Sequence, residues 1–127
     1  MERFTLSAKE RIKNSNEITT LIRQGQAFFL APFKVYYTWG DTSINHPIRV
    51  AFAVPKKKFS KAVQRNKLKR LSREAFRLQR HLLNDLVEKK ESGLNILFLY
   101  QKTKAFSSKE IYQSVGDSLQ EIINKDG

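Results

Sequence analysis

Apolar and polar residues alternate along this chain in two distinct rhythms, and the changes of rhythm mark out its elements. Near the start, Ile18, Leu21 and Ile22 share one side of a 3.6-residue repeat. Asn14 or Ser15 is placed to cap that helix, which runs to about Gln24 and is stopped by Gly25. The period then drops to two. Phe33, Val35, Tyr37 and Trp39 point one way and Lys34, Tyr36 and Thr38 the other, which predicts a strand. After the polar connection Gly40–Asn45, Ile48, Val50, Phe52 and Val54 alternate along a second strand that Pro55 ends. Its other side carries the small Ala51 and Ala53, which leave the backbone open to a close neighbour.

The helical rhythm returns from about Ser60 and lasts into the Leu82–Val87 region, with Gly93 beyond its end. Leu94–Tyr100 is apolar on both sides, as a central, doubly covered strand would be. Ser107 and Glu110 have the spacing of a capping box, and Ile111, Val115, Leu119 and Ile122 form the apolar stripe of a last helix. Without repeats, low-complexity tracts or linkers, residues 1–127 read as one α+β domain.

The long helix has two faces of opposite character. Leu68, Leu71, Ala75, Leu78 and Leu82 fall within one arc, and Arg65, Asn66, Lys69, Arg70, Arg73 and Arg77 fall opposite. One arc can pack on a core while the other offers cations to a polyanion. Charge is correspondingly uneven. Residues 49–80 hold twelve bases and one acid, whereas the segments on either side are nearly balanced, and the whole chain is +12. Such concentration predicts nucleic acid as the partner, ahead of a membrane surface, because the apolar arc is needed for the core. Forty per cent hydrophobic residues indicate a folded protein rather than a basic tail. The absence of cysteine excludes disulfides. With no signal-peptide pattern and no apolar run of membrane-spanning length, a soluble cytoplasmic protein is expected.

The catalytic inventory is poor. His46 sits before Pro47 and His81 on the basic helix, neither beside a visible nucleophile, and the acids show no two-metal spacing. Glu74 is expected to orient a neighbour such as Arg70 or Lys67. The inventory for nucleic acid is rich. Arg65, Arg70, Arg73 and Arg77 supply guanidinium forks for phosphate. Lys56, Lys57, Lys58 and Lys61 stand at the helix entry, where ammonium and backbone N–H groups can meet a phosphate together. Asn66 is open to a base edge, a 2′-hydroxyl or its own backbone. Tyr36, beside Lys34, is either a stacking platform for a single strand or a ring packed under the first helix. Phe28, Phe29, Phe59 and Phe76 are read as core or hinge residues, with Phe76 at the edge of the basic arc.

The run Lys61-Ala62-Val63-x-Arg65-Asn66-Lys67-Leu68-Lys69-Arg70-Leu71-x-Arg73-Glu74 resembles the signature of the bacterial ribonuclease P protein subunit. Arg11-Ile12-Lys13 and Phe33-x-Val35-Tyr36 are similar to that family too. The resemblance implies an α-β-β-β-α-β-α sandwich with a left-handed βαβ crossover, against the usual right-handed rule, and one further short strand near Gln26–Leu30. It implies an accessory subunit, one per RNA, of an endoribonuclease whose catalytic RNA uses Mg²⁺ to remove the 5′ leader of precursor tRNA. No metal is then expected on protein side chains alone. Lys61, Arg65, Asn66, Lys67, Lys69, Arg70 and Arg73, with the preceding Lys56–Lys58 loop, would bind RNA. Arg11, Ile18, Ile22, Lys34 and Tyr36 would line the leader cleft.

Four positions depart from the family pattern. Lys67 replaces an arginine, Ser60 stands where glycine is usual, and Ile18 and Ile22 stand where many relatives carry aromatics. Leader binding that is more electrostatic and less base-dependent is the expectation. A ribosomal or ribosome-assembly RNA-binding protein is the alternative, and a DNA-binding module lacks the helix pair it would need.

Overall fold

A computed structural model describes residues 11–12, 15–40 and 47–127. The expected Asn14 cap, the Asp41–Asn45 connection and His46 lie outside them. Helix α1 (Ser15–Gln24) leads into strands β1 (Gln26–Leu30), β2 (Phe33–Gly40) and β3 (Ile48–Ala53). Helix α2 (Ala62–Gln79), a 3₁₀ turn (Arg80–Leu83) and helix α3 (Asn84–Lys90) follow. Strand β4 (Gly93–Tyr100) and helix α4 (Ser108–Asp126) complete the order. The short strand implied at Gln26–Leu30 is present.

The strands form one sheet in the order β1-β2-β4-β3. β1 and β4 pair antiparallel with β2, whereas β3 and β4 are parallel. Parallel partners cannot be joined by a hairpin, so α2 and α3 carry the chain across. The doubly apolar β4 lies inside the sheet, as its composition demands.

Alternation along the strands divides the core in two. Phe33, Val35, Tyr37, Ile48, Val50, Leu94, Ile96, Phe98 and Tyr100 form one cluster with α2, α3 and α4. On the other face, Tyr36, Ala51 and Leu97 pack with Ile12 and Leu21 under α1. Among the described residues the result is three layers, with α1 the one helix on its side. Aromatic rings tie the larger cluster together: Phe52 stacks on Phe98 at 5.1 Å, and Phe76 meets both edge-on. Each such ring contributes about 1.5–3 kcal/mol by its burial. Phe76 is therefore a core residue, not part of the basic face.

Two expectations about the long helix are corrected. The first concerns its apolar arc. Leu78 and Leu82 are 45% and 42% exposed, while Ser72, Phe76, Gln79 and Leu83 are buried. The inward arc is rotated because two polar residues can be buried with their hydrogen bonds made. Ser72 Oγ donates to the Leu68 carbonyl at 2.7 Å, and Gln79 Nε2 donates to the carbonyls of Ala75 and Tyr112. The second concerns continuity. At Gln79 the backbone leaves α geometry (φ −119°, ψ −4°), and the 3₁₀ turn follows. That turn brings Leu83, Leu86 and Val87 onto the core.

Candidate nucleic-acid interface

The basic surface begins at the turn after β3. Lys58 and Phe59 both donate backbone N–H to the Pro55 carbonyl, closing a tight turn that carries Lys56 and Lys57 outward. Phe59 anchors it, buried edge-on against Tyr100. Lys61 then occupies the N-cap of α2 in extended geometry, with no side-chain cap and no acid in the first turn. Side chains thus leave the first N–H groups of α2 available, and the helix dipole adds positive potential there.

Arg65 does something the sequence did not suggest. Its Nη1 donates to the carbonyls of Phe59 and Ser60, both at 2.9 Å. It fixes the loop at the helix entry and holds Lys61 in place, so one edge of its fork is already used. Beyond it, Asn66, Lys67 and Arg70 are exposed, while Lys69 and Arg73 are half-buried on the flank. Glu74 pairs with Arg77 one turn on, and not with Arg70 or Lys67. Being the sole acid of α2, Glu74 leaves Arg70 and Arg73 without a carboxylate on their own helix.

Arg11 joins these arginines from another element. Residues 11–12 pair beside β3 through an Arg11–Val50 bridge, with Ile12 N donating to the Val50 carbonyl at 2.8 Å. Neighbouring side chains point to opposite faces, and since Ile12 lies under α1, Arg11 turns toward α2. Its Nε is buried without a hydrogen-bond partner. The Arg73 guanidinium is held below its ordinary pKa first by burial, then by the charges of Arg11 and Arg70. Three like charges on one flank repel one another, and an anion between them would relieve that repulsion.

Four of the five residues carried over to a leader cleft lie on the α1 side. Lys34 and Tyr36 sit opposite Leu99 and Leu97 on β2, and Ile18 packs on the same cluster. Tyr36 is 8% exposed, with Lys34 Nζ 5.3 Å from its ring centre. Of its two readings, packing under α1 is the one the structure shows. Ile22 is 44% exposed on the outer flank of α1. Arg11 stands apart from these four, with the α2 arginines. Among the described residues no three His, Asp or Glu side chains cluster as a metal site, and no helix is long and apolar enough to cross a membrane.

The family model for ribonuclease P matches residues 6–123. This chain belongs to that family. A ribonuclease P protein component from Porphyromonas gingivalis (strain ATCC 33277) is 40% identical over 96 residues, covering 76% of this chain and 70% of its own. One from Clostridium kluyveri is 30% identical over 117 residues, covering 92% and 94%. The RNase P protein of Staphylococcus aureus is similar in structure, with a TM-score of 0.66 at 26% identity, covering 93% of this chain and 98% of its own. That of Thermotoga maritima shares the fold at a TM-score of 0.71 and 21% identity, covering 89% and 97%. These relatives favour the ribonuclease P reading over the ribosomal alternative.

Proposed function

We propose that this protein is the accessory subunit of a cytoplasmic ribonuclease P ribonucleoprotein, one copy per catalytic RNA, aiding removal of the 5′ leader from precursor tRNA. What supports this is the family match and the place of Arg11, whose bridge to Val50 sets it beside β3. That place extends the basic face of α2 around the edge of β3 to the strip Arg11–Ile12, whose second residue packs beneath α1. A phosphodiester backbone is the natural occupant of such a surface. The α2 face and the Lys56–Lys58 turn then hold the catalytic RNA. The α1 side, with Lys34, Ile18 and Ile22, holds the leader mainly by charge and apolar contact, since Tyr36 is largely covered.

Bond cleavage belongs to the RNA in this proposal. Mg²⁺ bound there would supply the activated water and stabilise the leaving oxygen. The protein's residues position substrate and screen phosphate repulsion, so their effect is greatest when Mg²⁺ is scarce. The test is single-turnover cleavage of leader-bearing precursor tRNA by a cognate catalytic RNA at low Mg²⁺. Strong stimulation that shrinks as the leader is shortened is expected. Tight, salt-sensitive RNA binding without stimulation would overturn it.

A further inference from the structure

β1 ends the sheet on one side and pairs only with β2. Alternate residues of an edge strand turn N–H and C=O outward, so β1 presents main-chain donors and acceptors spaced for another strand. The opposite edge is treated differently. There the strip Arg11–Ile12 lies along β3, with Ile12 N donating to the Val50 carbonyl. Among the described residues no segment takes that place beside β1. α4 reaches it at its far end, where Ser114 Oγ donates to the Leu30 carbonyl at 3.1 Å. Gln26, Ala27 and Phe29 are exposed, Phe29 over 51% of its surface.

An open apolar edge invites unwanted pairing, and lysine is a common guard against it. Here a lysine stands on each face. Phe28 and Phe29 point to opposite sides of the strand. Lys125 of α4 lies 5.1 Å from the Phe28 ring centre, and Lys102, in the loop after β4, lies 5.4 Å from that of Phe29. Both lysines are exposed, and among the described residues neither forms an ion pair. Asp126, next to Lys125, is spent on Trp39 Nε1.

These charges decide what can pair there. A second copy set antiparallel along the same edge would bring each lysine against its own counterpart, and like charges directly opposite are destabilising. An RNA strand suits the lysines but not the edge, because its phosphates only accept and leave the outward carbonyls of β1 unmet. An extended acidic peptide suits both. We propose that β1 is a docking edge for an extended acidic segment of a partner protein, which adds a strand beside it. Neighbouring residues of that segment face opposite sides, so two adjacent carboxylates meet Lys125 and Lys102 together. β-branched residues flanking them cover the rings of Phe28 and Phe29. Since β1 is the edge farthest from β3 and Arg11, the protein can hold this segment and RNA at once.

The test uses the full chain, isotope-labelled, and a capped octapeptide of threonine and valine with two central glutamates. The amide NMR signals of Ala27, Phe28 and Phe29 should shift and exchange more slowly with solvent. The same peptide with two central lysines should bind about tenfold more weakly. Lys102→Glu and Lys125→Glu, both at exposed positions, should each weaken the acidic peptide about fivefold, the upper range for an exposed ion pair. Methylating alternate peptide nitrogens keeps the charges and removes donors from one edge of the peptide. Of the two possible methylated peptides, one should lose binding and the other keep it. Equal binding by both would mean that charge alone holds the peptide, and would overturn the proposal. So would shifts confined to the α2 face, or a short oligoribonucleotide that moves the β1 signals when the acidic peptide does not. Neither lysine belongs to the RNA surface described above, so the double variant should still stimulate leader cleavage; loss of that stimulation would assign the edge to RNA. The holoenzyme reading rests on cleavage with the unaltered chain and is untouched by these outcomes.

Discussion

At Tyr37 a single phenol reports on how the last helix is held. Its hydroxyl donates to Gln26 Oε1 at 2.9 Å, while next to it Trp39 Nε1 donates to Asp126 Oδ2 at 2.6 Å. Burial first, and then the Asp126 carboxylate, push the Tyr37 pKa up to about 12 from an ordinary 10. An acid raised on folding favours the native state while it stays protonated. Its contribution is complete below pH 10 and disappears as pH rises through 12. Ultraviolet titration should show late ionisation among the four tyrosines, of Tyr37 and of Tyr100, whose burial also raises it, together with alkaline unfolding, and Asp126→Asn should bring Tyr37 earlier. Ionisation of all four near pH 10 would refute the arrangement. Residue roles of this kind were the least legible in the sequence. Arg65 was readable as a cation, but not as the clamp on Phe59 and Ser60, because those carbonyls reach it only once the loop has folded back. Arg65→Ala should therefore weaken RNA binding more than the loss of one phosphate contact, by also freeing Lys56–Lys61. Arg65→Ala and Arg70→Ala compared in filter binding would show it, and equal losses would count against the clamp.

Elements were legible where pattern and burial agree. The capping box formed as spaced, with Glu110 N donating to Ser107 Oγ at 3.1 Å and Ser107 N donating to Glu110 Oε1 at 3.0 Å. The alternation of β2 also held, because both of its faces are packed. β1 was not separable by rhythm: it is an edge strand, and Ala27-Phe28-Phe29-Leu30 shows no polar alternation. The face of α2 was misjudged where polarity and burial part company, at Ser72 and Gln79. Gln79 is buried because α4 offers the Tyr112 carbonyl and a gap at Gly116. A β-carbon on Gly116 would lie 2.3 Å from Gln79 Oε1. Gly116→Ala should therefore cost about 1–3 kcal/mol in urea unfolding, as overpacked cores do. Adding Gln79→Ala removes the obstruction, so the double variant should be more stable than the two single losses predict. Additive losses would mean that Gln79 moves aside freely.

For the whole molecule, charge is the property that sequence displays and folding sharpens. Twelve bases within residues 49–80 were visible at once; that Arg11 would be added to Arg70 and Arg73 depended on a bridge to β3 that no local pattern encodes. Gathering these cations opposes folding, since in the unfolded chain Arg11 lies far from the others and free in water. Anything that binds the folded cluster must then stabilise the fold, by RT ln(1 + [L]/Kd), or about 2.7 kcal/mol at a hundred times Kd. Sulfate suits both the arginine cluster and the uncapped start of α2. It should raise the melting temperature seen by circular dichroism well beyond chloride at equal ionic strength, because chloride only screens while sulfate is also held by the forks. Arg73→Gln separates the two effects. It removes the half-buried charge that faces both Arg11 and Arg70, so it should raise stability in chloride and narrow the gap between the salts. Identical melting in sulfate and chloride would show that the cluster is tolerated by solvent alone. The same surface should make RNA affinity fall on the order of a thousandfold between 50 and 200 mM salt if about six contacts form. Arg70→Ala should lower that salt slope by about one contact's worth, and a slope left unchanged would remove Arg70 from the interface.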